Sequence, residues 1–235
     1  MQRIISTAIL LLFVVSAFAQ SQEIKDKLTS YGIPTDLIVH SFEDENSQYS
    51  FEGTETTTTT SSTGVEIKVK EFEFDPMRPE GEKWKLVKAD GAVPSSKDIK
   101  QFDKEHNNKV KEIDAEVRDD AWKILREDDE EIQISFRYNA DDLPKKYRYL
   151  ADCNGIVYVS KTEKRITKLL FSNFQETHVS IFKVTKLNME IDFHLQEATG
   201  EYLIEKESIL MDAKLLGQTV EVTVNSVFQN YKKIK

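Results

Sequence analysis

A two-residue rhythm of apolar and polar side chains runs through the second half of this chain, and it narrows the fold more than any other feature. The cleanest stretch sets Met189, Ile191, Phe193 and Leu195 against Asn188, Glu190, Asp192 and His194. Side chains of a strand point alternately to opposite faces, so this run predicts a strand with one buried face and one wet face. The rhythm recurs at Ile132, Ile134 and Phe136, at Val157 and Val159, at Leu169 and Phe171, and at Val220, Val222 and Val224 against Thr219, Glu221 and Thr223. A parallel α/β sheet would instead show continuous apolar runs with a helix between successive strands. The expectation is a mainly β fold with some α (α+β), built on a large antiparallel sheet.

Earlier segments fit the same plan. Val65, Ile67 and Val69 alternate with Glu66, Lys68 and Lys70, then Phe72 and Phe74 continue on the opposite phase, which predicts a bulge near Lys70 and Glu71. The threonine tract Thr56 to Thr60 is β-prone and runs into Ser61-Ser62-Thr63-Gly64, so it reads as an exposed strand entering a hairpin turn. Ile24, Leu28 and Tyr31 lie at helical spacing before Gly32 and Pro34, predicting a short helix. A longer helix is expected from an N-cap at Ser95 or Ser96, with Ile99, Phe102, Val110, Ile113 and Val117 on one face packed against the sheet. The acidic run Glu127 to Glu131 is expected to end that helix as a solvated turn. It has five consecutive acids and no glycine, unlike the spaced carboxylates of a calcium loop.

The amino terminus carries an address. Arg3, the apolar stretch Ile4 to Val15 and the small-x-small triplet Ala17-Phe18-Ala19 together read as a secretory signal peptide over residues 1–19. The apolar stretch is short of the roughly 20 residues that span a bilayer, so the expected mature chain starts at Gln20 with no integral membrane segment. With 39% hydrophobic and 10% aromatic residues the chain can bury a core, and its formal charge of −9 speaks against non-specific nucleic-acid binding. Eight glycines, five prolines and one cysteine exclude a collagen-like repeat and a disulfide scaffold. The one cysteine, Cys153, has no neighbouring His or Lys to activate it and reads as a small buried hydrophobe.

Catalytic motifs are missing. His40, His106, His178 and His194 are scattered, with no helical pair and no Cys/His cluster to hold zinc. Nucleophile elbows, phosphate loops and dinucleotide fingerprints are absent from the sequence. The expectation is a non-enzymatic protein with no cofactor and no metal.

The ladder Gly155 to Val159, then Arg165 to Leu169, Met189 to Leu195 and the ending Val224 to Tyr231, resembles the second half of bacterial outer-membrane lipoprotein-sorting proteins of the LolA/LolB and RseB type. Trp84 to Gly91 with Pro94 and Ser95 ahead of a charged helix is similar to uncharacterised exported proteins of that fold. The resemblance covers Gln48 to Tyr231 and rests on pattern and spacing. It implies a single half-barrel domain over residues 20–235, in which a strongly curved antiparallel sheet is covered by one long and one or more short helices. It also implies a periplasmic or extracellular protein holding lipid or the acyl chains of a lipoprotein on its concave face. The apolar residues expected there are Phe72, Phe74, Ile134, Phe136, Val157, Val159, Leu169, Phe171, Met189, Ile191, Phe193 and Leu195, with the Ser95 helix as lid. No site residue transfers by motif, and the absence of a lipoprotein cysteine sets the chain apart from a LolB-like anchored receptor. The alternative is an interaction or regulatory module that docks another envelope protein, its groove filled as ordinary core.

Overall fold

The computed structural model describes residues 21–33, 48–107, 117–143, 145–179, 181–196, 200–215 and 217–234. Strands are β1 (Tyr49–Ser61), β2 (Gly64–Phe74), β3 (Trp84–Ala89), β4 (Lys123–Glu127), β5 (Glu131–Phe136) and β6 (Cys153–Ser160). They continue with β7 (Arg165–Asn173), β8 (Thr177–Val179), β9 (Phe182–Gln196), β10 (Glu201–Leu215) and β11 (Gln218–Lys233). Helix α1 covers residues 21–30 and α2 is Ser96–His106. Short 3-10 helices lie at Asp119–Ala121 and Lys145–Asp152.

All described strands join one antiparallel sheet in the order β3-β2-β1-β11-β10-β9-β7-β6-β5-β4, with β8 paired to β9 beside that path. The path ends at β3 and β4, so the sheet is open. Most neighbours in the sheet are consecutive in sequence, as in a meander; the long-range exception is the pairing of β1, the first strand, with β11, the last. The threonine strand and its turn lie where the sequence puts them: β1 pairs with β2 through Ser61↔Gly64, and Gly64 takes a φ of 138° that residues with a side chain avoid.

Three expectations are corrected. β2 pairs with β1 without any register shift, so there is no bulge at Lys70 or Glu71 on that side. The phase change is instead a change of face: Phe72 and Phe74 are buried, whereas Val65 and Ile67 face out at 63% and 60% exposure. The extra residue sits on β3, between the pairs Glu71↔Lys88 and Phe72↔Leu86. Second, the helix from Ser95 is short. Ser95 accepts from the Asp98 amide and Asp98 returns a bond to the Ser95 amide, a capping box, and the helix ends at His106 with Phe102 as its buried residue. Ile99 is exposed, Val117 pairs with Tyr138 in an isolated bridge, and residues 108–116, with Val110 and Ile113, lie outside the described residues. Third, the acidic run ends no helix; it is the hairpin turn from β4 to β5. Asp128 accepts from the amides of Glu130 and Glu131, Arg126 pairs with Asp128, and Lys161 and Lys27 pair with Glu127.

The α1 reading stands: Ile24 and Leu28 are buried and Gly32, at a φ of 71°, turns the chain after Tyr31. The signal-peptide reading falls on residues outside those described. Among the described residues no helix is long and apolar enough to cross a membrane.

Candidate functional site

Strand register assigns every side chain a face, because directly paired residues of antiparallel strands point the same way. One row can be followed across nine strands: Ile134, Val157, Leu169, Ile191, Glu207, Ser226, Glu55, Lys70 and Ala89. It begins as pure hydrocarbon and turns polar in the middle of the sheet. The covered face therefore has three zones.

The first zone, on β5, β6, β7 and β9, is closed. Ile132, Ile134, Phe136, Val157, Val159, Ile166, Leu169 and Phe171 are completely or almost completely buried, and Ile24 and Leu28 of α1 and Leu150 of the second 3-10 helix belong to the same cluster. The ring of Phe136 occupies the place a side chain would take at Gly155, where an added Cβ would come within 2.3 Å of it. The third zone, at β2 and β3, is aromatic: Phe72 packs with Leu86 and Phe102 under α2, and Phe51, Phe74, Trp84, His106 and Phe228 surround them. His106 lies tilted against Phe102 with ring centres 4.3 Å apart and so belongs to the aromatic packing.

Between these lies a strip on β10, β11 and β1. Its rows are Ile209-Val224-Thr57-Lys68 and Met211-Val222-Thr59-Glu66, running from the first cluster toward β2 and grading from apolar to polar. Ile209, Val222, Val224, Thr57 and Thr59 are half-buried, unlike the enclosed side chains to one side. At one edge of the strip stands Glu207. Burial, followed by the repulsion of Glu55, pushes its carboxyl up to about 7. Part of the residue's surface still meets solvent, but the charge responds to the protein packed closely around the carboxylate. Glu55 is compensated by Lys70 at 3.0 Å, and Lys70 also holds Glu105 of α2 at 3.1 Å. Burial opposes the Lys70 charge, yet the two carboxylates outweigh it and hold the ammonium above its ordinary range.

Of the twelve residues expected to line a ligand groove, nine lie in the first cluster or at its β9 border: Ile134, Phe136, Val157, Val159, Leu169, Phe171, Met189, Ile191 and Phe193. Phe72 and Phe74 lie in the aromatic zone, and Leu195 is half-buried opposite Tyr202. They share one face, as expected, but they belong to two packed groups. The lid is corrected as well: α2 packs against β3, not over Met189 to Leu195, because Phe102 finds its partners at Phe72 and Leu86. Ligand contact with the β5 to β7 residues would require α1 or the second 3-10 helix to move. The sequence pattern did not point to Glu207. A bulge between Ile204 and Lys206 switches the parity of β10, so that Glu207, which alternation from Tyr202 and Ile204 would place outward-facing as a surface residue, points inward.

Cys153 is buried and donates to the Tyr149 carbonyl at 3.4 Å, and burial, with the Asp152 charge behind it, pushes its thiol up to about 12. His194 is exposed beside the Lys168 bridges to Glu190 and Asp192 on the outer face.

No family model matches the chain, and no curated protein matches it. Among solved structures, the chain is similar to the LolA superfamily protein NE2245 from Nitrosomonas europaea at 10% identity and a TM-score of 0.34, over 80% of this chain and 87% of that one. It is also similar to a chain of the Pseudomonas aeruginosa MucA/MucB complex at 9% identity and a TM-score of 0.19, over 81% of this chain and 95% of that one. Superpositions this loose do not define a shared site.

Proposed function

We propose that the protein is an exported, LolA-like half-barrel that binds the apolar chain of a lipid or of an acylated protein on the covered face of its open sheet, by contact and not by catalysis. The observation that carries this reading is the half-buried strip of Ile209, Val222 and Val224, beside buried Met211, that continues the closed core toward Thr57 and Thr59. A linear hydrocarbon laid along it would gain burial at about 25 cal/mol per Å² while the first cluster supplies a fixed wall. Export is supported by the signal-like order of Arg3, Ile4 to Val15 and Ala17-Phe18-Ala19.

Mass spectrometry of an organic extract of the purified protein tests the reading: co-purified acyl chains support it, and a clean extract from protein that also takes up no lipid probe removes it. A second reading, docking of another envelope protein, is favoured by a separate observation. β4 is an open edge, and its Leu125 stands 47% exposed. A lipid-free protein that captures a peptide through that edge would decide for this second reading.

A further inference from the structure

We propose that Glu207 makes the strip selective for amphiphiles that carry a primary ammonium group, the carboxylate receiving the cationic head while the chain lies over Ile209, Val224 and Val222. The inference rests on the lipid-binding reading above and adds the chemistry of the head group.

Glu207 faces the strip by register, paired with Ile191 on one side and Ser226 on the other. Among the described residues its carboxylate accepts no hydrogen bond and joins no ion pair, and the residue is half-buried, with protein drawn around much of the carboxylate. Buried carboxylates in folded proteins ordinarily have a partner, since an unpaired charge pays a desolvation penalty with no return. Around it, β9 offers Ile191 and β11 offers Ser226, neither charged. β1 offers Glu55 and β2 offers Lys70, which is committed to Glu55 and to Glu105 of α2. The second 3-10 helix offers the Tyr149 phenol, with the Cys153 thiol of β6 behind it, both held protonated by burial and by nearby negative charge. Lys70 is thus taken by Glu55 and Glu105, Lys68 on the next row of β2 pairs with Glu66, and Glu207 is left facing Glu55 with no cation of its own. An anionic head would be repelled there, a hydroxyl would leave the charge uncompensated, and an ammonium would neutralise it with a charge-assisted hydrogen bond. Glu207 titrates near 7 without such a partner, so the preference belongs to its ionised form and fades as the carboxyl protonates.

The test is competition against the neutral fluorophore N-phenyl-1-naphthylamine on the signal-less full chain, with dodecylamine, dodecanol and dodecanoate each below its micelle concentration. At about pH 8 dodecylamine should displace the probe at a concentration roughly tenfold lower than dodecanol, and dodecanoate should be weakest. Lysophosphatidylethanolamine, which carries the same ammonium on a lipid, separates the two sources: a preference it shares assigns a lipid head, and one confined to dodecylamine assigns a simple amine. Glu207→Gln should bring amine and alcohol together, and in the wild type the gap should narrow at about pH 6, where the alkylamine is still charged and Glu207 is not. Probe displacement by dodecanol and dodecylamine at equal concentrations would overturn the inference and leave the groove standing, as would a preference that survives in Glu207→Gln. No probe uptake at all overturns the groove and this inference together.

Discussion

Gly155 and Phe136 show how tightly the first cluster is filled. A methyl on Gly155 would meet the Phe136 ring at 2.3 Å, and that ring is itself boxed in by Phe171 and Tyr138 at 5.6 and 5.3 Å between centres. Gly155→Ala should therefore destabilise by about 1–3 kcal/mol, read as a lower denaturant midpoint with an unchanged slope. Phe193, buried on β9 with an edge-to-face contact to Tyr202, should cost about 3–5 kcal/mol as Phe193→Ala. A melt of that variant close to wild type would show an open wall at β9 in place of packed core. Glu207 carries the opposite sign. Its carboxyl, raised from 4.5 to about 7, is more protonated in the folded chain than in the unfolded one across that window, so stability is lost as pH rises through it. Two and a half units correspond to about 3 kcal/mol, and Glu207→Gln should recover up to that amount at about pH 8 and almost nothing at about pH 4. Equal stability of the two proteins at about pH 8 would show that the carboxylate is better solvated than its packing indicates.

At the level of elements, the fold was most legible where alternation is unbroken. β5 and the middle of β9 announce themselves because every inward position is apolar and every outward one polar, and β6 keeps the same rhythm with Ile156 as its apolar outward residue. β10 was not legible for the same reason in reverse: its bulge after Ile204 and the shift at Thr185 on β9 break the two-residue count on both sides of that pairing. The long-helix expectation failed at His106 because periodicity alone does not say where a helix stops. Asn107 caps it by donating its backbone amide to Asp103 and by bonding both the amide and the carbonyl of Trp84. Those two bonds also fasten α2 to β3. Asn107→Ala should leave the sheet intact while loosening α2, seen as faster amide exchange at Ile99 to His106 with the first cluster unchanged. Uniform loss of protection across the sheet would mean that the two clusters unfold as one unit.

Across the whole molecule, one face carries two packed groups with a half-covered strip between them, and function is proposed for the part that the sequence distinguished least. The twelve expected lining residues were identified as inward-facing, which alternation can show. Whether an inward residue meets a ligand or another side chain depends on where α1 and the 3-10 helix lie, and no local pattern encodes that. Electrostatics divides along similar lines. Asp120, Glu127 and Glu176 are held below their ordinary ranges by Arg118, Lys27 and Lys183, so their small contributions are present above the unfolded pKa and lost as pH falls through the folded one. Glu207 acts in the other direction, and together these groups place maximal stability at mildly acidic pH, about 5, which a thermal melt across a pH series would register.

The most direct test of amphiphile binding on the strip is titration of N-phenyl-1-naphthylamine into the wild type and Ile209→Asn. Ile209 is half-buried between Met189 and Val224, so the polar replacement should be tolerated by the fold and not by a hydrocarbon ligand. Saturable uptake by the wild type, weakened about tenfold or more in the variant at an unchanged melting temperature, is the predicted result. Absence of saturable uptake by the wild type, or equal uptake by both proteins, would contradict it.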